Sequence, residues 1–120
     1  MKADNQILII SKAFALRIIK LYTYMKDEKK EFVMSKQLLR CGTSIGANVR
    51  ESVNAQSKAD FISKLNIALK EADETQYWLG LLHESGFLNE DEFNSIYEDA
   101  SRIVGTLTKI IKTSKTTSEA

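Results

Sequence analysis

Proline is absent from this 120-residue chain, and cysteine and histidine occur once each. A single thiol cannot close an internal disulfide, and Cys41 with His83 cannot by themselves furnish a Cys/His zinc site. Neither device is expected to hold the fold together. No apolar run approaches the roughly 18 to 20 residues that cross a bilayer, and the N-terminus lacks the uninterrupted apolar core of a secretory signal. The expectation is a cytoplasmic protein with no membrane partner. Gly-rich phosphate loops, Gly-x-Ser-x-Gly elbows and dinucleotide fingerprints are also missing. So are the Glu-x-x-His pairs of di-iron or di-manganese bundles, since Gly80 stands three residues before the sole histidine, His83. No metal and no cofactor is expected.

What remains is enough for one core. Chains usually split into several domains only beyond about 250 residues. At 43% hydrophobic and 28% charged, this chain is apolar enough to offset the entropy of ordering, unlike a disordered segment. The charges are uneven along it. Residues 1–50 carry ten Lys/Arg against four Asp/Glu, residues 51–100 three against eleven, and the last twenty four against one. A basic half and an acidic half on one chain favour head-to-tail self-association or a polyanion site on the basic side.

Helical periodicity decides the secondary structure, because sustained alternation bounded by turn dipeptides is missing. At about 100° per residue, Ile7, Ile10, Phe14, Ile18, Leu21 and Met25 share one side of a helix from about residue 4 to 26. A polar connection, residues 26–31, follows, with Ser35 as the expected N-cap of a second helix that aligns Leu38, Cys41, Ile45, Val49 and Ser52. Ser57 is the expected cap of the third, with Asp60 in its first turn and Phe61, Leu65, Ala68, Ala72 and Leu79 as its stripe. Gly86 suits a left-handed stop, and Asn89 with Glu92 resembles a capping box for the fourth helix, whose stripe is Phe93, Ile96, Ala100, Ile103, Leu107 and Ile110. The fold class is therefore all-α, an antiparallel up-and-down four-helix bundle. Its single domain spans residues 1–112. Residues 113–120 are rich in Ser, Thr and Lys, with no apolar residue before Ala120, and are expected to form a flexible tail.

Two helices carry more apolar surface than one bundle needs. Leu8, Ile9, Leu16 and Ile19 lie roughly opposite the first core stripe, and Ile67, Trp78 and Leu81 face away from the third. Exposed patches of this kind usually mark an interface, so self-association through the first and third helices is expected. Gly42 and Gly46 sit inside the second helix at about 1 kcal/mol each relative to Ala. With Thr43 and Ala47 they leave one side small enough for close approach of another helix or a ligand backbone.

Candidates for chemistry are few. Cys41 beside Arg40 is more simply a buried small hydrophobe than an activated thiol. Glu71 and Glu74, three apart on a charged helix, read as ion-pair partners before a general acid and base. The sharper feature is a basic strip, with Lys36, Arg40 and Arg50 on one face with Thr43 and Ala47, interrupted at its edge by Glu51. Lys12, Lys20 and Lys26 of the first helix, with Lys29 and Lys30, extend the field if they point the same way. Such a surface gives salt-sensitive, mainly sequence-independent binding of RNA or DNA.

Along Gln37, Leu38, Leu39 and Arg40, then Gly42 through Val49 with Glu51, and on through Lys58, Asp60, Phe61, Lys64, Leu65, Ile67, Ala68, Glu71, Glu74, Thr75, Tyr77, Trp78 and Leu79, the chain resembles the four-helix-bundle proteins encoded in intervening sequences of large-subunit (23S) ribosomal RNA genes. The resemblance implies an up-and-down bundle assembled into a ring-shaped homopentamer. The accessory variability determinant of diversity-generating retroelements resembles a relative of the same fold. It uses a basic pentamer surface to bind nucleic acid and its reverse transcriptase, although residues 51–100 here are much more acidic. Arg40 matches a basic position of the family motif and carries over as a nucleic-acid contact. Asn48 and Glu51 match it too, one helical turn in which a structural polar network is expected. The expected function is non-enzymatic, a homo-oligomer binding RNA or DNA in a ribonucleoprotein assembly. The alternative is a scaffold recruiting an unidentified protein, without nucleic acid.

Overall fold

The computed structural model describes residues 5–116. Four helices account for most of them: α1 (Asn5–Asp27), α2 (Met34–Ser52), α3 (Lys58–Glu84) and α4 (Glu90–Thr116). No strand occurs among the described residues. The helices contact one another in a closed cycle, α1 to α2 to α3 to α4 and back to α1, so α1 and α3 occupy diagonal corners, as do α2 and α4. Side-chain registers tie the neighbours. Ser11 of α1 lies against Gly46 of α2 while Ile18 lies against Gly42, and Lys64 of α3 pairs with Glu51 while Glu71 and Glu74 pair with Arg40.

The core follows the periodic stripes. Ile7, Phe14, Ile18 and Met25 of α1, with Leu38, Cys41, Ile45 and Val49 of α2, meet Phe61, Leu65, Leu79 and Leu82 of α3 and Ile96, Ile103 and Leu107 of α4. Each such aliphatic or aromatic side chain, once buried, contributes about 1.5 to 3 kcal/mol. Gly42 and Gly46 are explained by packing. A Cβ on Gly42 would lie 2.9 Å from Ile18 Cγ1, and one on Gly46 would lie 3.3 Å from the Ser11 carbonyl oxygen. The seam between α1 and α4 is the sparsest of the four. There Arg17 reaches Asp99 at 2.7 Å and the Ser95 hydroxyl at 2.7 Å. Clefts of about 220 and 300 Å³ flank that tie, one lined by Ile10 and the other by Leu21. This is why Ile10 and Leu21, expected in the core, are only half-buried.

The caps hold with one exception. Ser57 accepts from the Asp60 N–H at 3.0 Å, Asn89 and Glu92 cap each other at 2.8 and 2.9 Å, and Gly86 has φ +90°. Ser35, expected as a cap, lies buried within α2 instead. Glu31 does the capping, its carboxylate accepting from the N–H groups of Val33, Met34 and Ser35 at 2.9 to 3.0 Å. A carboxylate at the positive end of a helix satisfies three orphan donors at once. The expected tail boundary also moves. Helix α4 continues through residues 113–116, with Lys115 in its last turn and Thr116 donating to the Thr113 carbonyl, and residues 117–120 lie outside the described residues. Near this end Ile111, not the expected Ile110, is buried.

Candidate nucleic-acid interface

Helix α2 supplies the strip. Its core-facing positions alternate with an outer face on which Lys36, Arg40, Ala47 and Arg50 are exposed and Thr43 is half-buried. The polar side chains around it are turned inward on their own helix. Thr43 Oγ1 donates to the Leu39 carbonyl at 2.7 Å and Asn48 Nδ2 to the Ser44 carbonyl at 2.9 Å.

Arg40 does not stand free. Its guanidinium donates to Glu71 at 3.4 Å and to Glu74, and Trp78 Nε1 donates to the same Glu74 carboxylate at 3.2 Å. These hydrogen bonds, Arg40's first and Trp78's second, hold the Glu74 carboxyl below the usual carboxylate range. The middle member of the expected trio thus faces two carboxylates while its side chain stays about half exposed. Lys36 and Arg50 remain, with no ion pair among the described residues. They are fourteen positions apart, about 21 Å along the axis. Asn48 and Glu51 do not join into one network. Asn48 bonds its own helix, whereas Glu51 pairs with Lys64 at 3.1 Å across to α3.

The α1 lysines are exposed and differ in their neighbours. Lys12 is exposed, with no ion pair among the described residues. Lys20 lines the cleft toward α4 with Arg17, Leu21 and Tyr24. Lys26 pairs with Asp27 at 2.7 Å. Lys29 sits 5.8 Å from the Tyr24 ring centre.

Of the apolar residues outside the stripes, Ile9, Leu16, Ile19 and Ile67 are exposed, the first two at 68% and 56%. Leu8, Trp78 and Leu81 are half-buried, and Leu8 and Trp78 pack against the core. Tyr77, 60% exposed and edge-on to Trp78 at 5.4 Å, joins this apolar set although the sequence pattern did not single it out. Its place about 20° from the middle of the outer face of α3 is the signal that finds it.

The remaining candidates make contacts within the fold. Burial pushes the Cys41 thiol up, away from nucleophilic use. His83 closes the α3–α4 turn, with Nδ1 3.1 Å from the Leu88 carbonyl, Nε2 3.0 Å from Glu90 and its ring stacked on Phe93 at 4.3 Å. Glu71 and Glu74 are committed to Arg40. Among the described residues no cluster of His, Cys, Asp and Glu could hold a metal, and no helix is long and apolar enough to cross a membrane.

No functionally curated protein matches the chain. Among solved structures it is similar to a crystallised protein of unknown function from the S23 ribosomal protein family of Bacteroides thetaiotaomicron. The two are 55% identical with a TM-score of 0.89, over 90% of this chain and 96% of that one. The model of the 23S rRNA-intervening sequence proteins matches residues 3–109. The chain belongs to the 23S rRNA-intervening sequence protein family.

Proposed function

We propose that this protein is a non-enzymatic, cytoplasmic nucleic-acid-binding assembly protein. It is an antiparallel up-and-down bundle whose copies form a ring, a pentamer as the family resemblance implies, and bind RNA or DNA in a ribonucleoprotein through the outer face of α2. The observation that carries this reading is that Lys36 and Arg50 stand exposed and without an ion pair among the described residues on that face, across the small side chains of Thr43 and Ala47. Small residues between two cations leave room for a sugar-phosphate backbone, and ring symmetry repeats the pair once per subunit. The registers of Gly46 on Ser11 and Gly42 on Ile18 support opposed directions for α1 and α2.

Binding of a fluorescent random-sequence RNA, titrated at salt from about 50 to 200 mM, tests it. Affinity should fall steeply with salt, as counterion release requires. Lys36→Ala and Arg50→Ala should each reduce the log-log slope by about 1. Arg40→Ala should change the slope less, because its charge is already opposed by Glu71 and Glu74. Salt-independent or absent binding would refute the reading and favour the protein scaffold.

A further inference from the structure

Resting on the homo-oligomer proposed above, we infer that its subunit contact is heterologous, the outer face of α1 in one copy seating on the outer face of α3 in the next. On α1, Ile9, Leu16 and Ile19 are exposed at 68%, 56% and 45%. Their spacing of seven and three residues keeps them on one side over about 15 Å. Lys12 falls between them and has no ion pair among the described residues. On α3, exposed Ile67 and Tyr77 stand with half-buried Trp78 and Leu81. A shallow recess lined by Ala59, Ser63 and Ile67 lies at one end of that face. Asp73 and Glu84 on α3 are exposed and without an ion pair among the described residues, whereas Glu74 is held by Arg40, and Lys70 also lies on this face.

Charge and position together choose the pairing. Two α1 faces brought together would oppose lysines, and two α3 faces would oppose Asp73 and Glu84 with only Lys70 to offset them, whereas α1 on α3 sets Lys12 against a rim of net negative charge around matching apolar centres. Because α1 and α3 are diagonal in the helix cycle, their outer faces point away from each other. Each copy then offers one face to each of two neighbours, the geometry that generates rings when the rotation closes. The outer strip of α2 lies at the corner between them and stays uncovered. Lys12, by contrast, is taken up at the subunit boundary and leaves the set of nucleic-acid contacts.

The test uses two blocked variants, Leu16→Asp/Ile19→Asp and Ile67→Asp/Tyr77→Asp, with mass measured by light scattering during size exclusion and helicity by circular dichroism. Where an Asp variant loses helicity, the corresponding Ser variant replaces it. Each variant alone should run as a monomer of 13.6 kDa. An equimolar mixture should give a species of twice that mass and nothing larger, because one free face survives on each partner. Retention of the wild-type mass by either variant overturns the inference, and so does a mixture that stays monomeric. If wild type itself is monomeric, the homo-oligomer reading fails with it; if wild type is oligomeric and the mixture is not, only the pairing of α1 with α3 fails.

Discussion

Replacing Gly42 with Ala measures how closely α1 and α2 are held. The added methyl would meet Ile18 Cγ1 at 2.9 Å, Cγ2 at 3.0 Å and Cδ1 at 3.2 Å. Ile18 is fully buried, and a β-branched side chain in a helix has essentially one rotamer. It cannot swing clear. Two effects oppose each other. Removing a glycine from a helix interior gains about 1 kcal/mol, while forcing a methyl into a packed core costs about 1 to 3 kcal/mol. With the two nearest Ile18 carbons at 2.9 and 3.0 Å, the cost belongs in the upper part of that range, and a net loss of about 1 to 2 kcal/mol is expected. Gly105 of α4 is the control. Nothing lies within 4 Å of a Cβ there, so Gly105→Ala should stabilise by about 1 kcal/mol. The same substitution at two helical sites is thus expected to differ by about 2 to 3 kcal/mol. Urea denaturation at one fixed protein concentration reads this directly, the concentration being fixed because assembly contributes to apparent stability. In an Ile18→Ala background the clashing atoms are gone, and Gly42→Ala should there recover its helix-propensity gain. If Gly42→Ala stabilises the wild-type background as Gly105→Ala does, the close approach of α1 and α2 is wrong.

Glu31→Ala should cost about 2 kcal/mol in urea denaturation, since it leaves the N–H groups of Val33, Met34 and Ser35 at the start of α2 without the carboxylate that caps them. A loss of a few tenths would show that water replaces the cap freely. The depressed Glu74 carboxyl makes stability depend on acid. Its contribution is fully present above the ordinary carboxylate range and is lost as pH falls through its lowered value. Arg40→Ala should flatten this part of the pH–stability curve, by about 1 kcal/mol or less because the Arg40 side chain is 49% exposed. Parallel curves for the two proteins would show that the Arg40 tie adds nothing to stability.

How much was legible beforehand depended on whether a feature is local. The stripes of α2 and α3 carry through residue for residue at Leu38, Cys41, Ile45, Val49, Phe61, Leu65, Ala68, Ala72 and Leu79, because burial on an amphipathic helix follows its own periodicity. The caps at Ser57 and Asn89 were equally readable, since their partners lie three residues away. Ser35 was misplaced because a cap residue type is only half the signal. The carboxylate of Glu31 reaches the same donors from farther upstream and leaves the serine free to be buried. The candidate site was legible in composition and not in state, for periodicity puts Arg40 on the outer face of α2 but says nothing of what α3 sets against it.

The amino-acid sequence by itself determined the all-α class, the number of helices, most of the faces they bury and the signals that start and stop them, because each is set by spacing within a few residues. Tertiary structure decided the rest. Ile110 and Ile111 lie about equally far, roughly 50°, from the middle of the α4 stripe, and only the neighbouring helices choose Ile111. Gly42 and Gly46 become necessary only once Ile18 and Ser11 arrive from α1. Arg40 is drawn off the basic strip because Glu71, Glu74 and Trp78, more than thirty residues away in sequence, gather around it where α2 packs on α3. Lys36 and Arg50 on the same stripe have no such carboxylate among the described residues and keep their charge for the surface.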